Sequence, residues 1–308
     1  MSTKIALEPK KFEQYLLAIE ASGGSPSELA PDVEALVWTD YARPDLLELV
    51  IAANPQLRWV QLPFAGVDAF SSIIAKYKAI KFTSAKRSFS EPVAEHALML
   101  CMALGRVLPE RIRAKSWGKK YADSLFDENL LIVGGGGIAQ QLVELLEPYR
   151  TRITVIRKRP GEAFNNSQYS SVLGFEYLDQ GLASAKFVIL ACALTDETRF
   201  LIDSKKLSKM RKDSYLVNVA RGEVVNQDDL ADALRTGVIA GAAIDVTYPE
   251  PLLEGHELWD LKNLIITPHT ADTMPIVTRL FSQRLRENVS AYLKNEPLVG
   301  LVSSELGY

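Results

Sequence analysis

A run of four glycines is the clearest candidate in this sequence for a site that binds phosphate. The glycines occupy residues 134–137, directly after an apolar segment of strand length over 130–133 and directly before a helical pattern. A helix N-terminus presents unpaired N–H groups and the positive end of the helix dipole, and both attract a phosphate group. Read as G-x-G-x-x-A, the spacing predicts a tight turn at Gly134, close approach of the backbone to a pyrophosphate at Gly136, and close helix–strand packing at Ala139.

The elements around the glycines decide between this motif and a flexible loop, because a glycine run alone is compatible with both. A second apolar strand is predicted over Arg152–Ile156, at the distance that a strand–helix–strand unit requires. The context therefore favours a dinucleotide-binding turn over a flexible loop.

The turn after that second strand carries a further signal about the dinucleotide. In this fold an acidic residue usually stands there and accepts a hydrogen bond from the ribose 2′-hydroxyl, whereas this chain has Arg157, Lys158 and Arg159. Guanidinium groups bind a 2′-phosphate through charge-assisted hydrogen bonds, and a carboxylate would repel it. We therefore predict that NADP(H) is preferred and that NAD(H) is the second choice; a solvated basic turn is the alternative interpretation.

Strand and helix patterns alternate on both sides of the glycine run, which is typical of parallel α/β structure. Strands are predicted over 35–38, 57–62, 80–83, 187–190, 215–219, 240–244 and 263–267. Helices are predicted over 44–53, over 91–117 with Ser90 as N-cap and an apolar surface at 93–104, and over 276–294. The predicted fold is two doubly wound parallel-sheet α/β domains, the second a Rossmann-type dinucleotide-binding domain. A discontinuous substrate domain is expected over 1–95 plus 280–308, and the dinucleotide-binding domain over 96–279.

Composition excludes several classes of protein. The 308 residues carry a formal net charge of −3 with no basic block, so we predict no nucleic-acid binding. No run of about 18 apolar residues occurs, and none is therefore expected to span a membrane. The two cysteines, Cys101 and Cys192, lie in apolar runs far apart, which indicates buried thiols in a reducing compartment and no metal pair. We expect a cytoplasmic protein.

Three further segments extend the pattern: residues 217–225 (VNVARGEVV), 241–252 (GAAIDVTYPEPL) and 258–271 (LWDLKNLIITPHTA). With the glycine motif, their order and spacing resemble the D-isomer-specific 2-hydroxyacid dehydrogenases over most of the chain. Upstream, residues 65–68 (AGVD) and 93–96 (VAEH) resemble the catalytic-domain loop and the interdomain helix of that family.

The resemblance implies the reduction of a small 2-oxo acid by a nicotinamide cofactor. His269 would donate the proton to the carbonyl oxygen, a task that suits a histidine because its pKa lies near neutrality. Glu250 would orient His269 and favour its protonated form, and Arg221 would bind the substrate carboxylate. Backbone N–H groups near Ala65 and Gly66 are expected to hold the same carboxylate.

By the same resemblance, Asp245 would bind the nicotinamide carboxamide. The other residues expected to contact the cofactor are Gly134, Gly136, Gly137, Ile138, Ala193, Thr198, Val219, Ala220 and Ala271. Two positions depart from the family pattern, because Ala193 stands where a proline is common and Asp272 where a small residue is usual. Of the remaining histidines, we expect His96 to be structural and His256 to be exposed.

The favoured hypothesis is an NAD(P)H-dependent D-2-hydroxyacid dehydrogenase of glyoxylate/hydroxypyruvate reductase type. A phosphoglycerate dehydrogenase-like enzyme and a dinucleotide-sensing, corepressor-like binding protein remain as alternatives. Formate dehydrogenases of this family carry glutamine where this chain has Glu250, which argues against that activity. The resemblance also implies a homodimer formed through the long helix.

Overall fold

A computed structural model describes residues 3–303 of the protein. Its strands are, in chain order, β1 (Lys4–Glu8), β2 (Ser25–Ser27), β3 (Ala35–Trp38), β4 (Trp59–Gln61), β5 (Lys81–Thr83), β6 (Asn129–Val133), β7 (Arg152–Ile156), β8 (Ser170–Leu173), β9 (Phe187–Leu190), β10 (Tyr215–Asn218), β11 (Gly241–Ile244) and β12 (Leu264–Ile266). Its α-helices are α1 (Glu13–Ala21), α2 (Pro44–Ala53), α3 (Ser71–Lys76), α4 (Ser90–Gly105), α5 (Leu108–Arg113), α6 (Gly137–Leu146), α7 (Leu178–Ser184), α8 (Ser204–Leu207), α9 (Gln227–Thr236) and α10 (Met274–Leu293).

These elements form two compact units, each built on one parallel sheet. The first unit runs up to Phe89 and resumes at Thr273, and the second is Ser90–Asp272. The first sheet has the strand order β2-β1-β3-β4-β5, and the second has the order β12-β11-β10-β9-β6-β7-β8. The prediction of two parallel-sheet α/β domains, the second of Rossmann type, is confirmed.

The two units meet in sequence where helices begin. The second unit starts with α4 at Ser90, and the first resumes at Thr273, immediately before α10. The predicted division, at 95/96 and 279/280, cuts through both helices. A helix buries one stripe against one layer, so a compact unit retains it whole. Residues 1–2 and 304–308, which the predicted substrate domain included, lie outside the described residues.

The first unit joins its two chain segments through α10. The ring of Tyr15 on α1 packs edge-on against Phe281 of α10, with 5.0 Å between ring centroids. Asn288 of α10 is fully buried and donates to Gln61 Oε1 at 2.7 Å and to the Val299 carbonyl at 2.9 Å. Its own Oδ1 accepts from the Val299 N–H at 2.8 Å. These hydrogen bonds satisfy every polar atom of the buried amide, as a buried polar group requires.

The long helical stretch predicted over 91–117 is wrong as a single helix. Helix α4 ends at Gly105, Val107 has a left-handed backbone with φ of 56°, and α5 starts afresh at Leu108. Pro109 explains the break, because a proline inside a helix lacks the N–H and its ring clashes with the carbonyl four residues earlier, here that of Gly105. Ser90, predicted as the N-cap, is the first helical residue.

Burial of the two cysteines follows their apolar surroundings. Cys101 is fully buried and Cys192 partly so, and neither forms a disulfide. Loss of contact with water raises the pKa of the Cys192 thiol to about 12 and raises that of Cys101 as well. Within residues 3–303, no helix has both the length and the apolarity needed to cross a membrane.

Candidate active site

The glycine turn lies where the order of the second sheet reverses. From β6 the chain proceeds to β7 and β8 on one side, and the later strands β9–β12 lie on the other. Ligands of open α/β sheets bind outside the carboxyl ends of the strands at such a point. Gly134, at the end of β6, has φ of +112°, and a Cβ on it would lie 2.5 Å from the carbonyl oxygen of Ala191, after β9. Only glycine fits this position.

Helix α6 begins directly beyond that turn and leaves its N-terminus accessible. Gly136 is the N-cap residue, and a Cβ on it would meet no atom within 4 Å. The N–H groups of Gly137 and Ile138 belong to the first turn of α6, where no intrahelical acceptor exists. Ala139 is fully buried against the sheet and allows the close packing that the motif predicts. The turn therefore offers open space beside backbone donors that have no acceptor within α6.

The basic turn after β7 is held by glutamates. Arg157 Nη2 contacts Glu162 at 2.8 Å and Arg159 Nη1 contacts the same carboxylate at 2.6 Å. Lys158 Nζ lies 2.8 Å from both carboxylate oxygens of Glu197. The aliphatic part of Arg157 also covers Gly135, where a Cβ would come within 2.5 Å of Arg157 Cδ. Each of the three cations is thus in an ion pair, and Arg157 lies against the glycine turn.

Two turns at the ends of β9 and β10 hold four of the other residues that were expected to contact the cofactor, namely Ala193, Thr198, Val219 and Ala220. Thr198 donates to the carbonyl of Ala193 at 2.7 Å and closes the turn after β9. Val219 and Ala220 are buried at the end of β10. The Ala220 N–H donates to Asn218 Oδ1 at 3.0 Å, so Asn218 fixes the start of the turn that leads to Arg221.

Arg221 is positioned by the turn at the end of β10. Asn218 Nδ2 donates to the Arg221 carbonyl at 2.9 Å, and Arg221 Nη1 donates to the Ala220 carbonyl at 2.8 Å. The next residue, Gly222, packs so closely on the backbone of Thr247 that a Cβ would lie 2.1 Å from the Thr247 carbonyl. This close approach brings the Arg221 turn against the loop that follows β11.

That loop carries Glu250 and is hydrogen-bonded to helix α9. Gln227, the first residue of α9, donates from its amide to the Tyr248 carbonyl at 2.5 Å and accepts from the Tyr248 N–H at 2.8 Å. Thr247 Oγ1 donates to the Pro249 carbonyl at 2.9 Å. The loop is therefore ordered by hydrogen bonds on both sides of its turn.

Glu250 contacts His269. The Nδ1 atom of His269 lies 2.5 Å from Glu250 Oε1. This hydrogen bond raises the pKa of His269 above its ordinary value, against the opposite effects of burial and of the nearby Arg221 charge. The side chains remain 43% and 41% exposed, so both are accessible to a ligand.

The backbone of His269 adopts a strained conformation that Asp245 maintains. His269 has φ of 51°, a left-handed value that is uncommon for residues other than glycine. Its N–H donates to the Asp245 carbonyl at 2.8 Å, and the carboxylate of Asp245 accepts from the N–H groups of Thr270 at 2.9 Å and Ala271 at 3.2 Å. Thr267 Oγ1 donates to the same carboxylate at 2.6 Å. Asp245 thus holds the whole segment that carries His269.

His96, which the sequence suggested was structural, belongs to this network. Its Nε2 lies 3.2 Å from Asp245 Oδ1 and 3.1 Å from Thr267 Oγ1. Burial acts to raise the pKa of Asp245, but the hydrogen bonds from His96, Thr267 and the Thr270 N–H outweigh it and hold that pKa below its ordinary value. No sequence signal linked His96 to the other residues, which lie on distant strands.

Asp272, the departure from the family pattern, lies close to this cluster. Burial raises its pKa, and the charge of Asp245 acts in the same direction, whereas His269 and Arg221 oppose the rise. The second unit thus places an additional carboxylate beside its predicted catalytic groups.

Ala65 and Gly66 belong to the first unit, in the loop after β4. The Phe64 carbonyl accepts from the Ala85 N–H at 3.0 Å, and the Phe64 ring packs against Tyr41 with 5.7 Å between centroids. The N–H groups of Ala65 and Gly66 donate to no atom of residues 3–303. The loop therefore carries two adjacent backbone donors available to an anion.

Comparison with known proteins identifies the class to which this fold and site belong. A family model described as D-isomer specific 2-hydroxyacid dehydrogenase, NAD binding domain, matches residues 96–271. The human protein named glyoxylate reductase/hydroxypyruvate reductase is 31% identical over 258 residues, which cover 80% of this chain and 77% of that protein. The glyoxylate reductase of Pyrococcus furiosus is 30% identical over 293 residues, 91% of this chain and 85% of the other.

A solved structure gives the same result for the fold. The D-isomer specific 2-hydroxyacid dehydrogenase from Xanthobacter autotrophicus Py2, solved in complex with NADPH and MES, superposes with a TM-score of 0.85 at 23% identity over 100% of both chains. This chain belongs to the D-isomer specific 2-hydroxyacid dehydrogenase family. The predictions of that family and of an oxidoreductase with an NAD(P)-binding Rossmann domain are confirmed.

Proposed function

We propose that this protein reduces a small 2-oxo acid of the glyoxylate or hydroxypyruvate type, with NADPH as the preferred cofactor and His269 as the acid/base. The observation that carries the proposal is the His269–Glu250 hydrogen bond, with Arg221 close by, at the carboxyl ends of β10–β12 in a dinucleotide-binding unit. The names of the human and Pyrococcus relatives support the same substrate class.

The residues present fit a bound dinucleotide. Gly134 leaves no room for a Cβ, the space beside Gly136 is open, and the first N–H groups of α6 have no acceptor within the helix. These residues would hold the pyrophosphate. Arg157, Lys158 and Arg159 would hold a 2′-phosphate, which would compete with Glu162 and Glu197 for them.

A reduced nicotinamide held by the glycine turn and the start of α6 would supply hydride chemistry for the proposed reaction. Arg221 binds the substrate carboxylate through charge-assisted hydrogen bonds. Glu250 occupies Nδ1 of His269, which leaves Nε2 to give its proton to the carbonyl oxygen and complete the alcohol. The raised pKa of His269 keeps the imidazole protonated to higher pH, which favours reduction. In the first unit, the free N–H groups of Ala65 and Gly66 support the prediction that they bind carboxylate.

The test is the loss of reduced-nicotinamide absorbance with glyoxylate, hydroxypyruvate, pyruvate or phenylpyruvate, each offered with NADPH and with NADH. We expect turnover with NADPH preferred, and a loss of about 10²-fold or more in kcat for His269→Gln. His256→Gln is the matched control, because His256 lies in another loop and accepts a hydrogen bond from the Leu258 N–H. Tight cofactor binding without turnover of any of these acids would overturn the reductase proposal in favour of a sensing protein.

We also propose a cytoplasmic homodimer, with the segment after α4 at the interface. Large apolar side chains are exposed there, and Trp117 is 88% accessible. The others on this segment are Leu108, Ile112, Tyr121 and Phe126. Several large apolar side chains exposed along one short segment favour an interaction site there. Light scattering coupled to gel filtration should give a dimer mass for the wild type and a monomer for Ile112→Asp/Trp117→Asp; a monomeric wild type would refute the proposal.

A further inference from the structure

The proton on His96 can be placed from its neighbours. Thr267 Oγ1 donates its hydrogen to Asp245 Oδ1 at 2.6 Å, so this hydroxyl faces His96 with a lone pair. Asp245 Oδ1 is a carboxylate oxygen and can only accept while ionised. Both partners of His96 Nε2 are therefore acceptors, which requires that Nε2 carry the hydrogen, shared between atoms 3.1 Å and 3.2 Å away.

Within residues 3–303, His96 is also the one hydrogen-bonding partner of the Asp245 carboxylate that lies outside segment 267–271. Asp245 is 2% exposed, and its other side-chain hydrogen bonds come from residues 267–271. A buried carboxylate is costly unless its lone pairs are satisfied. The imidazole on α4 therefore connects a helix of the second unit to the carboxylate that holds the loop.

From these contacts we propose that His96 is a positioning residue for His269. Its Nε2–H fixes the carboxylate and the threonine hydroxyl that anchor residues 267–271, and it thereby maintains the left-handed His269 backbone and the His269–Glu250 hydrogen bond. The consequence for catalysis rests on the proposed function, but the consequence for His269 itself does not. Without the imidazole, the loop loses one of its anchors and His269 moves away from Glu250 in part of the molecules.

The pKa of His269, measured by NMR on the protein without substrate, is the first readout. The chain has three histidines, so the imidazole signals are few. Charged groups that influence His269 are Glu250, Arg221, Asp245 and Asp272, and all variants are compared at one ionic strength. We expect His96→Leu to lower the pKa of His269 towards its ordinary value. His96→Gln, whose Nε2 can occupy the place of the imidazole Nε2, should restore it, and His256→Gln should leave it unchanged.

A double-mutant cycle with Asp245→Asn assigns the route of the effect. If His96 acts through Asp245, then adding His96→Leu to Asp245→Asn should change the pKa of His269 no further. With a 2-oxo acid that the wild type reduces, kcat should fall about tenfold in His96→Leu and recover in His96→Gln, as expected for a misplaced reacting group. A purely structural role would lower the melting temperature without moving the pKa of His269 in the folded protein.

Three results would overturn the proposal: a wild-type pKa for His269 in His96→Leu, no recovery in a folded His96→Gln, or an undiminished effect in the Asp245→Asn background. Should His96→Leu not fold, ¹⁵N chemical shifts of wild-type His96 decide, because a neutral His96 without hydrogen on Nε2 contradicts the inferred hydrogen bonds. A failure of the proposed reductase activity would give a different result: the wild type would turn over no 2-oxo acid, but the pKa of His269 would still change in the His96 variants as described.

Discussion

Replacing Glu250 by glutamine removes one charge from the predicted acid/base pair and leaves the shape of the side chain unchanged. The carboxylate accepts from His269 Nδ1 at 2.5 Å, and a glutamine oxygen can accept the same hydrogen. A charge-assisted hydrogen bond contributes about 1.5–3 kcal/mol. Because both side chains are about 40% exposed, solvent screening reduces the effect to about 1 kcal/mol, and the glutamine variant should lower the pKa of His269.

The direction of the change in the pH–activity profile depends on which protonation state of His269 is active. Reduction requires the imidazolium, so activity is present below the pKa of His269 and is lost as the pH rises through it. Glu250→Gln lowers this pKa, and the alkaline limb of kcat/KM for the 2-oxo acid should therefore move to lower pH. Folding stability follows the same direction, because a raised pKa in the folded state stabilises the protein at low pH and the benefit disappears above that pKa.

Initial rates with saturating NADPH over a range of pH measure the shift. Glu254→Gln is the matched control, since it removes the same charge from an exposed position in the same loop. An alkaline limb that stays in place in Glu250→Gln, or that moves equally in Glu254→Gln, would refute the assignment of the raised pKa to this hydrogen bond.

Three other variants test separate parts of the structure. Gly134→Ala should abolish measurable cofactor binding, because the new Cβ would collide with the backbone. Gly255 also has a positive φ but has open space around it, so Gly255→Ala should lower the free energy of unfolding by only about 1 kcal/mol. Arg159→Ala should raise the KM for NADPH about tenfold with little change for NADH; equal changes for both cofactors would contradict a 2′-phosphate contact. Asn288→Leu should lower the free energy of unfolding by about 2–4 kcal/mol. Gln283→Leu, at an exposed position of the same helix, should lower it by much less. Equal denaturant midpoints for the two variants would show that the buried amide of Asn288 does not stabilise the fold.

Apolar runs made most strands predictable, but β1, β2 and β8 were missed. β3, β7 and β9 have the predicted bounds. The side chains of β3 and β9 form short, continuous, buried apolar segments, and β7 buries Ile153, Val155 and Ile156. β2 consists of Ser25, Pro26 and Ser27 and is placed only by backbone pairing with β1. Such pairing leaves no trace in the side-chain pattern. β1 was missed because its buried run, Ile5–Leu7, has only three residues, and β8 was missed because none of its side chains is fully buried.

The site was predictable where local spacing defines it and not where distant residues meet. The order of the motifs led to Arg221, Glu250 and His269, which lie at the ends of successive strands of the sheet. The contact between His96 and Thr267 joins residues 171 positions apart. The glutamates that pair with the basic turn were also missed, because a surface ion pair requires only proximity in space.

The order in which the two units are completed differs from their order along the chain. The second unit is one uninterrupted stretch, Ser90–Asp272, inserted between the two segments of the first. On the ribosome, all residues of the cofactor-binding unit therefore emerge before α10 is available to cover α1 and to bury Asn288 against Gln61. The core of the first unit can therefore form completely only after the whole inserted unit has been synthesised. Until then the apolar face of α1 is exposed.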